Sequence, residues 1–150
     1  SKLKECKHLI KWVLESEKLN KYNDISKHKE FFKECQNHKT LLKKLLLTLK
    51  KQNKKILGYG ASTKGNVLLQ YCNIDSNLLN YVAEVNKFKF NKYTPGSNIK
   101  IISEKQAKAK KPDYLLVLPW HFKDHIIKRE KKFLKDGGKL IFPLPDIEIV

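Results

Sequence analysis

The sequence predicts an α/β domain that is Rossmann-like, with a mostly parallel sheet, helices on both faces and an N-terminal helical extension. Three observations predict it. From Lys55 onward, short apolar runs alternate with stretches of helical periodicity. The clearest run, Tyr114-Leu115-Leu116-Val117-Leu118, is apolar throughout, as a strand covered on both faces requires. The first run, Ile56-Leu57-Gly58-Tyr59-Gly60, ends in glycines just before a helical pattern, a strand-to-helix turn.

The elements follow in order. Leu3, Leu9, Ile10, Val13 and Leu14 recur at helical spacing and predict a helix over 3–18. Asn20 to Asp24 is a polar break, and Asp24 or Ser26 is placed to cap a second helix running to about Lys51. Its apolar stripe is Phe31, Cys35, His38, Leu42, Leu45, Leu46 and Leu49. Residues 1–52 therefore read as the helical extension and 53–150 as the Rossmann-like domain. After the first strand, Ser62 to Tyr71 reads as a helix with Val67, Leu68 and Leu69 inward. Leu79 to Val85 is the second strand. A polar loop over 86–98 carries a turn at Tyr93-Thr94-Pro95-Gly96. Ile99 to Ile102 is a short strand, and Ser103-Glu104-Lys105-Gln106 is a capping box opening a short helix. After the Tyr114 strand, Phe122 to Leu134 reads as one helix, ended by Gly137-Gly138. Leu140 to Phe142 is the last core strand, and Pro143 and Pro145 punctuate the exit.

Charge and composition narrow the function classes. The formal net charge is +17, which suits a polyanionic partner. Yet Arg129 is the sole arginine, and the lysines are scattered over every segment. A reader of bases uses arginine for bidentate contacts, so no sequence-specific nucleic acid is expected. Cys6, Cys35 and Cys72 are widely spaced and odd in number, which argues against a disulfide framework and for a reducing cytoplasm. Without a C-x-x-C pair, a structural zinc site is not expected. The most apolar run, Leu41 to Leu49, is interrupted by Lys43 and Lys44, so no membrane partner is expected. No signal peptide is read at the start, and Ser in place of Met at position 1 suggests a fragment or processed chain.

Two constellations carry candidate chemistry. In Gly58-Tyr59-Gly60-Ala61-Ser62-Thr63-Lys64-Gly65-Asn66, glycines let backbone N–H groups approach an anion while the helix N-terminus points at it. The dinucleotide fingerprint wants its third glycine where Thr63 stands, and the phosphate-loop pattern fails because Asn66 follows Gly65. Glu84, at the end of the second strand, stands where an acid meets a ribose hydroxyl. Leu118-Pro119-Trp120-His121 lies at the carboxyl end of the clearest strand, the edge where open α/β sheets bind ligands. There Trp120 offers an aromatic face and His121 a donor. His121 and His125 share an i, i+4 spacing, but no third ligand accompanies them and no metal is assigned.

Taken with Tyr93-Thr94-Pro95-Gly96, Lys111-Pro112-Asp113-Tyr114 and Phe142-Pro143-Leu144-Pro145, these segments resemble the C-terminal domain of S-adenosylmethionine-dependent C-methyltransferases acting on nucleotide-linked sugars. Order and spacing match from about Phe31 to the end. The resemblance implies a Rossmann-like domain that helps hold the nucleotide-linked sugar. It implies that S-adenosylmethionine and the catalytic residues belong to a preceding methyltransferase domain, of the same polypeptide or a partner chain. No cofactor is assigned to this chain, which carries no E-x-G-x-G-x-G loop, and catalysis by it alone is not expected. Departures from the family pattern are Glu84 for Asp, His121 for Asn, and Lys89-Phe90-Asn91 for a Lys-Gln-Gly turn. The contacts expected are Gly60, Ala61, Ser62, Lys64, Asn66, Glu84, Asn86, Tyr93, Trp120 and His121. Two other classes fit the same residues less fully: a dinucleotide-binding oxidoreductase-like or sensor domain, and a basic interaction module built on residues 3–51.

Overall fold

In a computed structural model, residues 6–150 are described. The chain divides into two compact units, one ending at Asn37 and one running from His38 to Val150. In the first unit, helix α1 spans Lys7–Leu19 and buries no residue. Leu3, expected at its start, lies outside the described residues. Helix α2 spans Ile25–Lys51. Of its two candidate caps, Asp24 acts: its Oδ1 accepts from the Ser26 amide at 2.9 Å, which holds its carboxyl below the ordinary value. Phe31, expected in the stripe of α2, is exposed.

The second unit is a three-layer α/β domain. Its six strands are β1 (Ile56–Tyr59), β2 (Tyr81–Glu84), β3 (Lys100–Ser103), β4 (Tyr114–Val117), β5 (Lys139–Phe142) and β6 (Glu148–Ile149). They lie in the order β3-β2-β1-β4-β5-β6, parallel except for β6. Edge strand β6 pairs antiparallel with β5 and escaped the sequence reading. It is two residues long and both are exposed, so it carries no burial pattern.

Alternation along β1 feeds two cores. Ile56 joins Leu42, Leu46 and Leu49 of α2, with Leu68 and Leu69 of helix α3 (Thr63–Tyr71). Leu57 and Tyr59 face the opposite side, with Ala107 of α4 (Glu104–Ala109) and Ile126 of α5 (Lys123–Arg129). Val67, expected inward, is exposed because it projects from the other side of α3. The capping box forms as expected, with Ser103 Oγ accepting from the Gln106 amide.

The single helix expected over 122–134 is instead a 3-10 turn (Trp120–Phe122), α5, and α6 (Lys131–Lys135). The break falls at Glu130, whose ψ of 22° leaves the helix. Glu130 is 2% exposed, and its carboxylate accepts from Tyr59 Oη at 2.9 Å. A tertiary bond to a buried carboxylate accompanies the break, and no periodicity announces it. Between β2 and β3 there is no α-helix, only a 3-10 turn (Lys87–Lys89) and a loop. That loop is fixed by Thr94, whose Oγ1 accepts from the Ile99 amide, and by a Gln70 bond to the Pro95 carbonyl.

Candidate functional site

The strand order reverses at β1, so the crevice between the carboxyl ends of β1 and β4 is where an open α/β sheet receives a ligand. A cleft of about 450 Å³ lies there. Gly60, Ala61 and Ser62 form one wall, Pro119, Phe122 and His125 another, and Glu84 and Lys89 the end beside β2.

Backbone geometry shapes the first wall. Gly60 has φ +77°, and a Cβ there would meet Pro119 Cδ at 2.9 Å, so both conformation and space demand glycine. Gly65 solves a different problem. A Cβ on it would lie 2.5 Å from Leu118 Cβ, so α3 can rest on the end of β4 only because the side chain is missing. This is the packing role of the third fingerprint glycine, carried two residues later than Thr63. Ser62 caps α3 by accepting from the Gly65 amide at 3.0 Å. The first amides of the helix have no partner within it, which leaves donors at this end.

Glu84 was expected to take a ribose hydroxyl, but its oxygens are committed inside the chain. Oε2 accepts from the Ala61 amide at 3.0 Å, and Oε1 from the amides of Val85 at 2.8 Å and Asn86 at 3.0 Å. Lys89 Nζ stands 3.4 Å from Oε2 and donates to the Ala61 carbonyl at 2.9 Å. Burial works to raise the Glu84 pKa, but the Asn86 and Val85 amides and the Lys89 ammonium outweigh it, so the carboxyl sits below its ordinary value. The pair thus clips the loop after β1 to the loop after β2.

Of the expected contacts, Gly60, Ala61, Ser62 and Glu84 line the cleft. Lys64 is exposed on the first turn of α3, and Asn66 buries an Oδ1 that has no partner. Asn86 uses its side chain to accept from the Phe88 amide. Tyr93 is exposed beside Lys100, with which it forms an isolated bridge. Trp120 is half-buried against both cores, so packing takes much of its ring. His121 is exposed, its ring 4.3 Å from that of Phe122. Among the described residues, no three His, Cys, Asp or Glu side chains converge as a metal site would require.

Sequence reasoning missed Lys89 and Arg129. Arg129 lines the cleft, donates to Glu104, and has its Nε 3.8 Å from buried Glu130. Its signal was compositional: one guanidinium among lysines, set between two carboxylates as its fork suits.

The model of the C-methyltransferase C-terminal domain family matches residues 1–145. The chain belongs to that family. C-methyltransferase NovU of Streptomyces niveus is similar, 33% identical over 123 residues. The match covers 82% of this chain and 29% of that protein, so the chain spans under a third of the relative's length. No helix of this C-methyltransferase C-terminal domain, among the described residues, is long and apolar enough to cross a membrane.

Proposed function

We propose that this domain holds a nucleotide-linked sugar in the cleft at the carboxyl edge of its sheet. It presents the sugar to a methyltransferase domain of the same polypeptide or a partner chain. One observation carries the reading: the Gly60–Ser62 wall brings the capped start of α3 to the strand-order reversal. The diphosphate meets the α3 amides and Lys64, while the Glu84–Lys89 clip holds the loop in its receiving shape. Trp120, His121, Asn66 and Asn86 are the further contacts of this reading, whereas Tyr93 bridges to Lys100 at the amino end of β3 and is left out of it.

S-adenosylmethionine, held by the methyltransferase domain, supplies an electrophilic methyl group for a sugar carbon beside a keto group. The acid of this chain at the end of β2, Glu84, is spent on backbone amides. The work of this chain is orientation, which accounts for much of the rate enhancement in such reactions. Three unpaired cysteines suit a cytoplasmic setting.

The test is amide chemical-shift mapping with uridine and thymidine diphosphates. Gly60 to Lys64 and Lys89 should shift, and Gly60→Val should abolish the response. Shifts confined to residues 7–51, or none at millimolar ligand, would overturn the reading.

A further inference from the structure

On the Tyr59 face the sheet residues are buried, but the helices that cover them are short. Helix α4 has six residues, and the helix after β4 is broken at Glu130. Between α4 and α6 lies a cavity of about 530 Å³, well within the size range of small-molecule sites. Its floor is Ala83 and Leu115 from β2 and β4, and its walls include Ala107, Pro112 and Phe133. All of these present carbon. Tyr59 and Glu104 are shared with the cleft described above.

The rim is cationic. Lys108 is committed to Glu130, 3.2 Å away. Lys111 and Lys132 line the cavity and enter no ion pair among the described residues, and Asp136 is an uncommitted acid on the same rim. Two free ammonium groups against one carboxylate leave a net positive mouth over an apolar chamber. A sugar or nucleobase would bury hydroxyls and amides against carbon walls, which is unfavourable without partners. A hydrocarbon body gains from the same walls, and an anionic group gains from the mouth.

We propose that this cavity is a second small-molecule site, separate in chemistry from the cleft, for a compact apolar body bearing one anionic group, of the aryl carboxylate or sulfonate kind. The body rests on Ala83 and Leu115, and the anion meets Lys111 and Lys132.

The experiment uses the full chain and 8-anilinonaphthalene-1-sulfonate, followed by fluorescence and amide shift mapping. We expect saturable 1:1 binding, with shifts at Ala83, Ala107, Leu115 and Phe133. Ala107→Leu, which fills the chamber, should remove it. Lys111→Glu with Lys132→Glu, both at the surface, should weaken it about tenfold or more, the loss of at least one charge-assisted contact. The same pair should leave the uncharged N-phenyl-1-naphthylamine unaffected. Uridine diphosphate should not displace the probe. Non-saturable binding, displacement by uridine diphosphate, or indifference to the lysine pair would each overturn the proposal. The lysine arm decides even if Ala107→Leu fails to fold.

Discussion

Replacing Glu84 by Gln tests whether the clip between the two loops is structural. The change keeps the shape and removes the charge. Glu84 is 7% exposed and accepts from the Ala61, Val85 and Asn86 amides at 2.8–3.0 Å, with Lys89 at 3.4 Å. A carboxamide can still accept from one pair of donors, but its NH₂ must then face the Ala61 N–H or the Val85 and Asn86 N–H groups. At least one buried amide loses its acceptor and meets a donor instead. Hydrogen bonds to a charged group are worth about 1.5–3 kcal/mol each, and the part-buried Val85 and Asn86 amides recover some of this from water. The expected loss is therefore about 2–3 kcal/mol in urea unfolding followed by tryptophan fluorescence. The acid dependence gives a second signature. The folded-state pKa lies below the ordinary glutamate value, so the contribution is fully present above that ordinary value and fades as pH falls through the folded pKa. The gap between wild type and variant should be flat above about pH 5.5 and should narrow below about pH 4.5. A loss under about 0.5 kcal/mol, ordinary for a surface substitution, or a gap unchanged on acidification, would refute the reasoning.

Further outcomes concern Gly65, Tyr59, Lys64 and duplex DNA. Gly65→Ala should cost about 1–3 kcal/mol in the same unfolding assay, because its Cβ falls 2.5 Å from Leu118 Cβ in a packed seam. Tyr59→Phe should cost about 1–2 kcal/mol by leaving Glu130 short of a donor. In wild type, burial and the Glu130 bond should make the Tyr59 phenol titrate above the ordinary tyrosine range by ultraviolet absorbance. Lys64→Ala should raise the stability of the free domain by a few tenths of a kcal/mol yet weaken nucleoside diphosphate binding by roughly 1–2 kcal/mol. Duplex DNA should bind by phosphate contacts alone, so its affinity should fall steeply between 50 and 200 mM salt and show no sequence preference by fluorescence anisotropy.

The strands were legible because parallel strands buried on both faces must be apolar, and β1 and β4 show it. The capping box at Ser103 and the long reach of α2 to Lys51 were equally readable, since both depend on neighbours in sequence. What escaped depends on partners distant in sequence. The break at Glu130 answers to Tyr59, 71 residues away. The role of Glu84 was inferred from its place at a strand end, but its acceptors were already claimed by Ala61, 23 residues back, and by its own neighbours. Trp120 was legible as an aromatic at the right edge. Its packing against both cores was not, because a single aromatic residue gives no period to read.

The glycine spacing of the loop bears most directly on function. With the close-packing glycine at 65 rather than 63, α3 still settles on β4, but its first turn now carries Thr63 and Lys64. That turn has no acidic residue, and Lys64 is exposed without an ion-pair partner among the described residues. A cation at the positive end of a helix dipole is mildly unfavourable, by about 0.3–1 kcal/mol. The Ser62 cap offsets this cost in the free domain, since such a cap is worth about 1 kcal/mol. The cost reverses sign once an anion bridges the amides and the ammonium group. A loop selected for stability alone would place Asp or Glu in that first turn. Under the proposed reading, Lys64 meets an anion that arrives from outside, and the Ser62 cap holds the loop until it does.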